Sequence, residues 1–382
     1  MSFFLCDPPD RHLMYPFTLN KAMGALFAGL MRFQDRWEKS LNQPVHLLTT
    51  ETLQSLYPQD HTTGTHTYIM AGVLPSPALV AAILSLSPQS GLKNPAGEVL
   101  AYRHTHPVQD KVQWSVFAEE LVLVKYPWDL MLHQAQIIRN DFELLTKGQF
   151  SEAISESVQV VNSRHIFIAP GAQLHHVVLN ASTGPIYIGP GAEIMEGSVV
   201  RGPFGMGENS VLKLNSRIYG GTSMGPYCMG GGEMKNALLM GYTNKAHDGY
   251  LGDAVLGEWC NIGAGTSNSN LKNDAGTVKS WSMGTQSWVN VGQKSGLFMG
   301  DYSRIAIQSA INTGTVIGLS ANVFGSGLLP KFIPSFSWGT AGETYALDKA
   351  LQAIDQWMQL KGKQLDTTTE NIIRSLYTNP ST

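Results

Sequence analysis

The chain has 382 residues, 43% of them hydrophobic and only 14% charged, with 39 glycines and a formal net charge of −3. That length asks for two or three units rather than one ordinary domain, and so few charges beside so much glycine point to backbone buried in sheet and tight turns. The charge balance argues against a general nucleic-acid binder, which carries a basic footprint, but not against a local basic pocket for a phosphorylated metabolite. Cys6, Cys228 and Cys260 lie far apart without a C-x-x-C pair, so a zinc ribbon and a disulfide scaffold are both disfavoured and a reducing compartment is expected. The first residues lack a basic segment followed by an apolar core, and no run of 18 apolar residues occurs. The expectation is a cytoplasmic protein with no membrane or nucleic-acid partner.

Taken in chain order, residues 3–6 read as a short buried strand. Residues 20–41 have helical spacing, with Met23, Leu26, Phe27, Leu30, Phe33 and Trp37 on one face. Residues 45–48 read as a strand, 77–86 as a helix with proline in its first turn, 99–102 as a strand and 129–145 as an amphipathic helix. Such alternation predicts an α/β domain with a mostly parallel sheet over residues 1–150. His104 and His106 follow the third of these strands, but with no third ligand evident they read as exposed histidines rather than a metal site.

From Ile188 onward every sixth residue is apolar: Ile188, Ile194, Val200, Met206, Leu212, Ile218 and Met224. At this composition, seven in a row has a chance probability of about 0.003. The register fails at Gly230, returns as Tyr250, Leu256 and Ile262, and returns again as Met299, Ile305, Ile311, Ile317 and Val323. Six is the period of neither an amphipathic helix nor a strand. It suits a β-helix whose short strands each turn one apolar side chain inward. Three hexads per coil predict a left-handed parallel β-helix over residues 151–340. The two breaks, at 230–249 and about 267–297, are expected to loop out and to hold the chemistry. Residues 343–360 and 368–377 have helical spacing, and this helical segment (341–382) is expected to cap or cross the end of the prism.

The segment Asn244-Lys245-Ala246-His247-Asp248-Gly249-Tyr250-Leu251-Gly252-Asp253, followed by Asn261-Ile262-Gly263-Ala264-Gly265-Thr266 and Asn268-Ser269-Asn270, sets a histidine and several amides beside the resumed repeat. Histidine is a proton acceptor suited to neutral pH. The same residues also read as a surface histidine at a glycine turn. Tyr250 sits at a repeat position and reads equally as core. Arg217 and Lys235 read either as phosphate ligands or as exposed charges, and Asn261 and Asn270 either as site or as ladder residues.

The prism together with these motifs resembles the bifunctional UDP-N-acetylglucosamine diphosphorylase/glucosamine-1-phosphate N-acetyltransferase family in its alternative bacterial form. The resemblance extends to Tyr15-Pro16-Phe17-Thr18, Asp35-Arg36-Trp37-Glu38-Lys39, Pro127-Trp128-Asp129-Leu130 and Pro334-Ser335-Phe336-Ser337-Trp338-Gly339. It implies acetyl transfer from acetyl-CoA to the amine of glucosamine 1-phosphate or a related amino sugar, by a homotrimer with sites between neighbouring prisms. By the same resemblance His247 is the general base, Arg217, Lys235 and Tyr250 hold the sugar phosphate, and Asn261 and Asn270 position the amine and acetyl groups. Coenzyme A is expected at Ala264, Leu271 and Lys272.

The sequence departs from the family after Asn270, where Leu271-Lys272-Asn273 replaces an aromatic and a later lysine; Lys272 or Lys279 is the substitute. Trp281 and Trp288 in the second break are expected to pack that loop down. At the N-terminus the family's T-R-P is Thr18-Leu19-Asn20-Lys21 here, leaving Arg11 and Lys21 as the candidate nucleotide ligands. This domain reads as degenerate or regulatory, with Mg2+ required only if it is active. Two rivals remain at this stage: a sugar-1-phosphate nucleotidyltransferase whose β-helix serves assembly, and a non-catalytic sugar-nucleotide scaffold.

Overall fold

The computed structural model describes residues 2–58 and 63–378. The N-terminal part is built on a six-stranded sheet: β1 (Phe3–Cys6), β2 (Val45–Leu48), β3 (His66–Met70), β4 (Ser90–Lys93), β5 (Val99–His104) and β6 (Gln113–Val116), in the order β2-β1-β3-β5-β4-β6. β1 runs parallel to both β2 and β3, and β4 parallel to β6, whereas β5 is antiparallel to β3 and β4. The sheet is therefore mixed. The reason is local: β4 and β5 are joined by a tight turn closed by the Asn94 N–H to Glu98 carbonyl bond, with Gly97 at φ +85°. So short a connection permits only antiparallel pairing.

Helix α1 (Phe33–Leu41) fills only the second half of the stretch with helical spacing. Ahead of it the chain reverses at Gly29, φ +63°, between the paired segments Phe27–Ala28 and Met31–Arg32. The reversal is held from outside, because the Leu30 N–H donates to Asp141 and the Gly29 N–H to Gln134. α2 (Pro77–Leu84) starts at the Ser76 cap, whose side chain accepts from the Leu79 N–H. α3 (Pro127–Thr146) has proline in its first turn, and Asp129 accepts from the Lys125 and Tyr126 N–H groups. The Arg36 guanidinium of α1 grips the Asp141 carboxylate of α3 with two bonds of 2.7 Å, both side chains being buried.

Residues 159–344 wind into a parallel β-solenoid. Val211 pairs with Met229 and Arg304 with Asn322, each eighteen residues on, which is three hexads per turn. The apolar repeat lies inside: Ile188, Ile194, Val200, Met206, Leu212, Ile218 and Met224 are all buried, as are Leu256, Ile262, Met299, Ile305, Ile311, Ile317 and Val323.

The break at 230–249 does not loop out. It contains the seven-residue strand Glu233–Leu239 and the short strand Asn244–Lys245, both in the ladder. The turn is merely shorter, Met229 pairing with Asn244 fifteen residues on. Gly230 interrupts the apolar pattern because the Met224 and Met234 side chains already fill the space its Cβ would take. The second break does leave the coil, as an antiparallel hairpin of Val278–Ser282 and Ser287–Gly292. Trp281 packs 5.4 Å from Phe332, and the hairpin tip at Gly284 abuts His12 of the N-terminal part.

The two parts share one apolar core. Leu238, Met240, Val255, Phe298 and Val316 of the solenoid belong to the cluster that contains Leu26, Trp128 and Met131. After the ladder ends in an antiparallel pair (Ser337–Trp338 with Glu343–Thr344), α4 (Leu347–Gln359) and α5 (Thr367–Thr378) lie along the solenoid flank instead of capping its end. Leu351, Ile354 and Ile373 are buried there with Trp259, Tyr302, Leu319, Phe336 and Leu19.

A polar clasp joins the parts beside this core. Lys21 lies 2.5 Å from Glu258 and 2.7 Å from Asp301, and Asn20 donates to Asp301 at 3.0 Å. Burial disfavours the Lys21 charge, but the Asp301 and Glu258 carboxylates outweigh it and hold the pKa above the usual lysine value. Removing one partner of a buried pair strands the other charge. Lys21→Met is expected to lower unfolding stability by about 3 kcal/mol in urea melts, whereas the double variant Lys21→Met/Asp301→Asn regains part of the loss.

Candidate functional site

Two shortened turns create the corner where Tyr250 meets Asn270, with Arg217 and Lys235 on the same face. Arg217 pairs with Glu233, Glu233 with Tyr250, and Lys235 with Gly252, so these side chains stack on successive strands of one face. The strands Glu233–Leu239 and Tyr250–Leu256 each run from this face onto the next through a single left-handed residue, Asn236 and Asp253, both at φ +48°. Asparagine and aspartate tolerate that conformation better than other side chains.

Shortening the turns also moves the repeat by one residue. Leu251, not Tyr250, stacks on Met234 in the interior, and Tyr250 is half-buried on the outside. Its ring lies across Gly252, where any Cβ would collide with the phenol. Its hydroxyl accepts from the Asn270 amide at 3.1 Å. Burial, then the Asp253 and Glu233 carboxylates, push the Tyr250 phenol up to about 12, so it stays protonated at neutral pH. Arg217 is exposed, with its Nε 3.5 Å from Glu233, a loose pair that leaves guanidinium N–H groups for an anion.

His247 is exposed on the bend 247–249, which joins the strand Asn244–Lys245 to Tyr250–Leu256. On the other side of the bend, His247, Asn261 and Ala264 line a cleft of ≈340 Å³ together with Asn244 and Gly263. Asn244 Oδ1 is buried without a hydrogen-bond partner among the described residues. In one chain the expected residues thus form two groups, on two faces that meet at the histidine bend.

Under the bend lies a residue that the sequence reading passed over. Lys245 stacks on Gly230 in the interior column and is 1% exposed. Its ammonium donates to the carbonyls of Gly231 (3.1 Å) and His247 (2.5 Å), tying the bend to the turn beneath it. Burial lowers its pKa to about 8, against a small upward pull from Asp248. The available signal was the charge itself, standing at a position where every other turn of the column is apolar or glycine.

Of the expected coenzyme residues, Leu271 is exposed and bridges to Lys294, while Lys272 pairs with Asp274 at 3.2 Å. Lys331 lies close enough to feel the Lys272 charge, and burial first, then that charge, lowers its pKa. The expected nucleotide ligands are elsewhere and already engaged. Arg11 donates to Asp7 at 2.8 Å and to the Thr18 and Lys21 carbonyls, and Lys21 is the interdomain clasp. Asp7, at the end of β1, accepts from Arg11, Thr49 and the Met23 N–H, so the donor set there does not fit a Mg2+ ion. A cavity of ≈420 Å³ does open beside that strand, lined by Pro8, Asp10, Val99 and Leu100, with Lys125 paired to Glu98 on its wall. His104 is buried opposite His66 on β3 rather than exposed; His106 is exposed.

Residues 3–150 match the family model described as sugar nucleotidyl transferase. Curated relatives include the bifunctional protein GlmU of Gloeobacter violaceus, 36% identical over 25% of this chain and 19% of the relative. GlmU of Methanocaldococcus jannaschii is 32% identical over 27% and 25%, and that of Cyanothece sp. 31% identical over 34% and 33%. The chain thus spans between a fifth and a third of the length of these relatives. Among solved structures, the polySia specific acetyltransferase NeuO aligns over 54% of this chain and 100% of its own at 9% identity (TM-score 0.28). Arabidopsis UDP-N-acetylglucosamine acyltransferase aligns over 59% and 90% at 16% identity (TM-score 0.25). The chain resembles the GlmU proteins, as its motifs indicate.

Lys245 gives the fold a specific pH signature. Its folded pKa of about 8 lies below the ordinary 10.5, so between these values the unfolded chain binds more protons and stability rises with pH. The contribution is fully present above about pH 10.5 and is lost as the pH falls through about 8. Thermal melts from pH 7 to 10 are expected to show this rise in the wild type, worth on the order of 3 kcal/mol, and to lack it in Lys245→Met.

Proposed function

We propose that the protein is a transferase of sugar-nucleotide biosynthesis that acetylates the amine of a sugar phosphate with acetyl-CoA, glucosamine 1-phosphate being the first candidate. The observation that carries this reading is the corner at Tyr250. A histidine on a bend, a tyrosine hydrogen-bonded to an asparagine, and two cations stacked along the same face meet at one edge of the solenoid. Arg217 and Lys235 suit a phosphate, the first by a fork of N–H groups and the second as a point charge. Tyr250 and Asn270 orient the sugar. His247 takes the proton as the amine nitrogen attacks the thioester carbon. The C–N bond forms, the C–S bond breaks, and the proton goes on to the departing sulfur. Ala264, Leu271 and Lys272 face the coenzyme in this reading, with Lys331 adding charge to Lys272. Because the candidate residues lie on two faces of one prism, assembly as a trimer belongs to the same reading: a neighbouring prism completes the walls of the cleft. We take the N-terminal domain as a module that has turned its phosphate-side loop to holding the solenoid, since Lys21 binds Glu258 and Asp301 and Arg11 braces that loop from within.

Purified protein with acetyl-CoA and glucosamine 1-phosphate is expected to release free thiol in a sugar-dependent way. His247→Ala is expected to lower kcat by about 10²–10⁴, and Arg217→Ala to raise KM by about tenfold with a small effect on kcat. UTP with N-acetylglucosamine 1-phosphate is expected to give no pyrophosphate. Pyrophosphate release without thiol release would replace this reading with the nucleotidyltransferase one.

A further inference from the structure

The Tyr250 corner contains a carboxylate to which the proposed chemistry assigns no task. Asp253 is 5% exposed. Its Oδ1 accepts from the Asn236 amide at 2.8 Å and its Oδ2 from the Asn270 amide. The same Asn270 nitrogen donates to the Tyr250 hydroxyl. Its partners are neutral amides, so burial of this carboxylate is a cost to stability rather than a gain. Its backbone does not require a carboxylate either, because Asn209, Asn215 and Asn236 hold the same left-handed conformation at other corners.

What a carboxylate does here that an asparagine would not is fix polarity. A carboxylate only accepts, so the amide edge turned toward it must be the NH2. Both N–H groups of Asn270 are then directed at Asp253 and Tyr250, and its carbonyl oxygen is turned to the opposite side. We propose that Asp253 is a positioning residue that locks Asn270 with its oxygen toward the substrate, so that the site offers an acceptor to an N–H of the attacking amine. The inference rests on the acetyltransferase reading for its substrate, whereas the polarity it assigns to Asn270 does not.

The test uses the full chain. In Asp253→Asn the new amide is nearly isosteric and can donate to the Asn270 oxygen, turning that side chain over. The expected result is a kcat about 10–100-fold lower with KM nearly unchanged and thermal stability retained. The exchange Asp253→Asn/Asn270→Asp restores an acceptor facing the substrate, and is expected to recover at least about tenfold of the lost kcat. Wild-type kcat in Asp253→Asn, or an exchange variant no better than the single one, overturns the proposal. A neutron structure of the deuterated protein supplies the readout that needs no turnover. Deuterium on the Asn270 atom facing Asp253 in the wild type, and oxygen there in Asp253→Asn, supports the lock; the same orientation in both overturns it. Absence of thiol release from the wild type sinks the acetyltransferase reading while the neutron result still decides the polarity of Asn270.

Discussion

The structure depends on one constraint: each turn of the solenoid must set its inward apolar side chains on those of the turn before it. Eighteen residues meet that demand with three hexads and three corners. When a turn has only fifteen or seventeen residues, as at Met229 to Asn244 and Asn244 to Asn261, the interior positions are still met and the corners absorb the loss. A corner becomes one left-handed residue, and the strands on either side fuse into the seven-residue strands Glu233–Leu239 and Tyr250–Leu256. The polar groups collect there because a tight corner brings side chains from two faces within hydrogen-bonding reach, which a regular hexad turn keeps apart. The candidate corner follows from shortening the coil rather than from inserting a loop into it.

The same economy governs the join between the two parts. α3 lies against the long strands, so the core of the N-terminal sheet continues into the solenoid through Trp128 and Phe298, whose rings are 6.2 Å apart. At the edge of that apolar contact, Asn20 and Lys21 reach Asp301 and Glu258. These residues occupy the segment that differs from the resembled family's T-R-P. Held by Asp301 and Glu258, this segment is fixed against the solenoid rather than free on the surface.

Much of this was legible in the sequence. The hexad repeat placed the solenoid and most of its interior from Ile188 to Val323, but the break at Gly230, expected to loop out, stays in the ladder. Several readings failed, each for a physical reason. The spacing over residues 20–41 looked helical because its apolar residues do share one core, but Gly29 reverses the chain and only Phe33–Leu41 is helix. Tyr250 read equally as core because it stands six residues before Leu256, but the corner at Asp253 is one residue short and Leu251 holds the interior place. Among the candidate site residues, Tyr250 and Asn270 are brought into contact, and His247, Asn261 and Ala264 share a cleft. Arg11 is bound to Asp7, four residues away, while the partners of Lys21, Glu258 and Asp301, lie more than 200 residues away and have no local trace in the sequence.

Lys245, whose charge was the one signal, and Asp253 were missed for a different reason: they contact the candidate residues from behind. Both are charges held in places where an apolar or neutral residue would make the more stable protein. Each is also one hydrogen bond from a residue proposed to act, Lys245 through the carbonyl of His247 and Asp253 through the amide of Asn270. Elsewhere the solenoid column avoids such charges, from Ile194 and Leu212 below to Ile262 and Ile305 above. Two unfavourable burials, one beneath the histidine bend and one at the Asp253 corner, are what a rigid scaffold must accept to hold a polar constellation still. An unstrained apolar corner would fold more stably and leave the histidine bend and the asparagine free to turn.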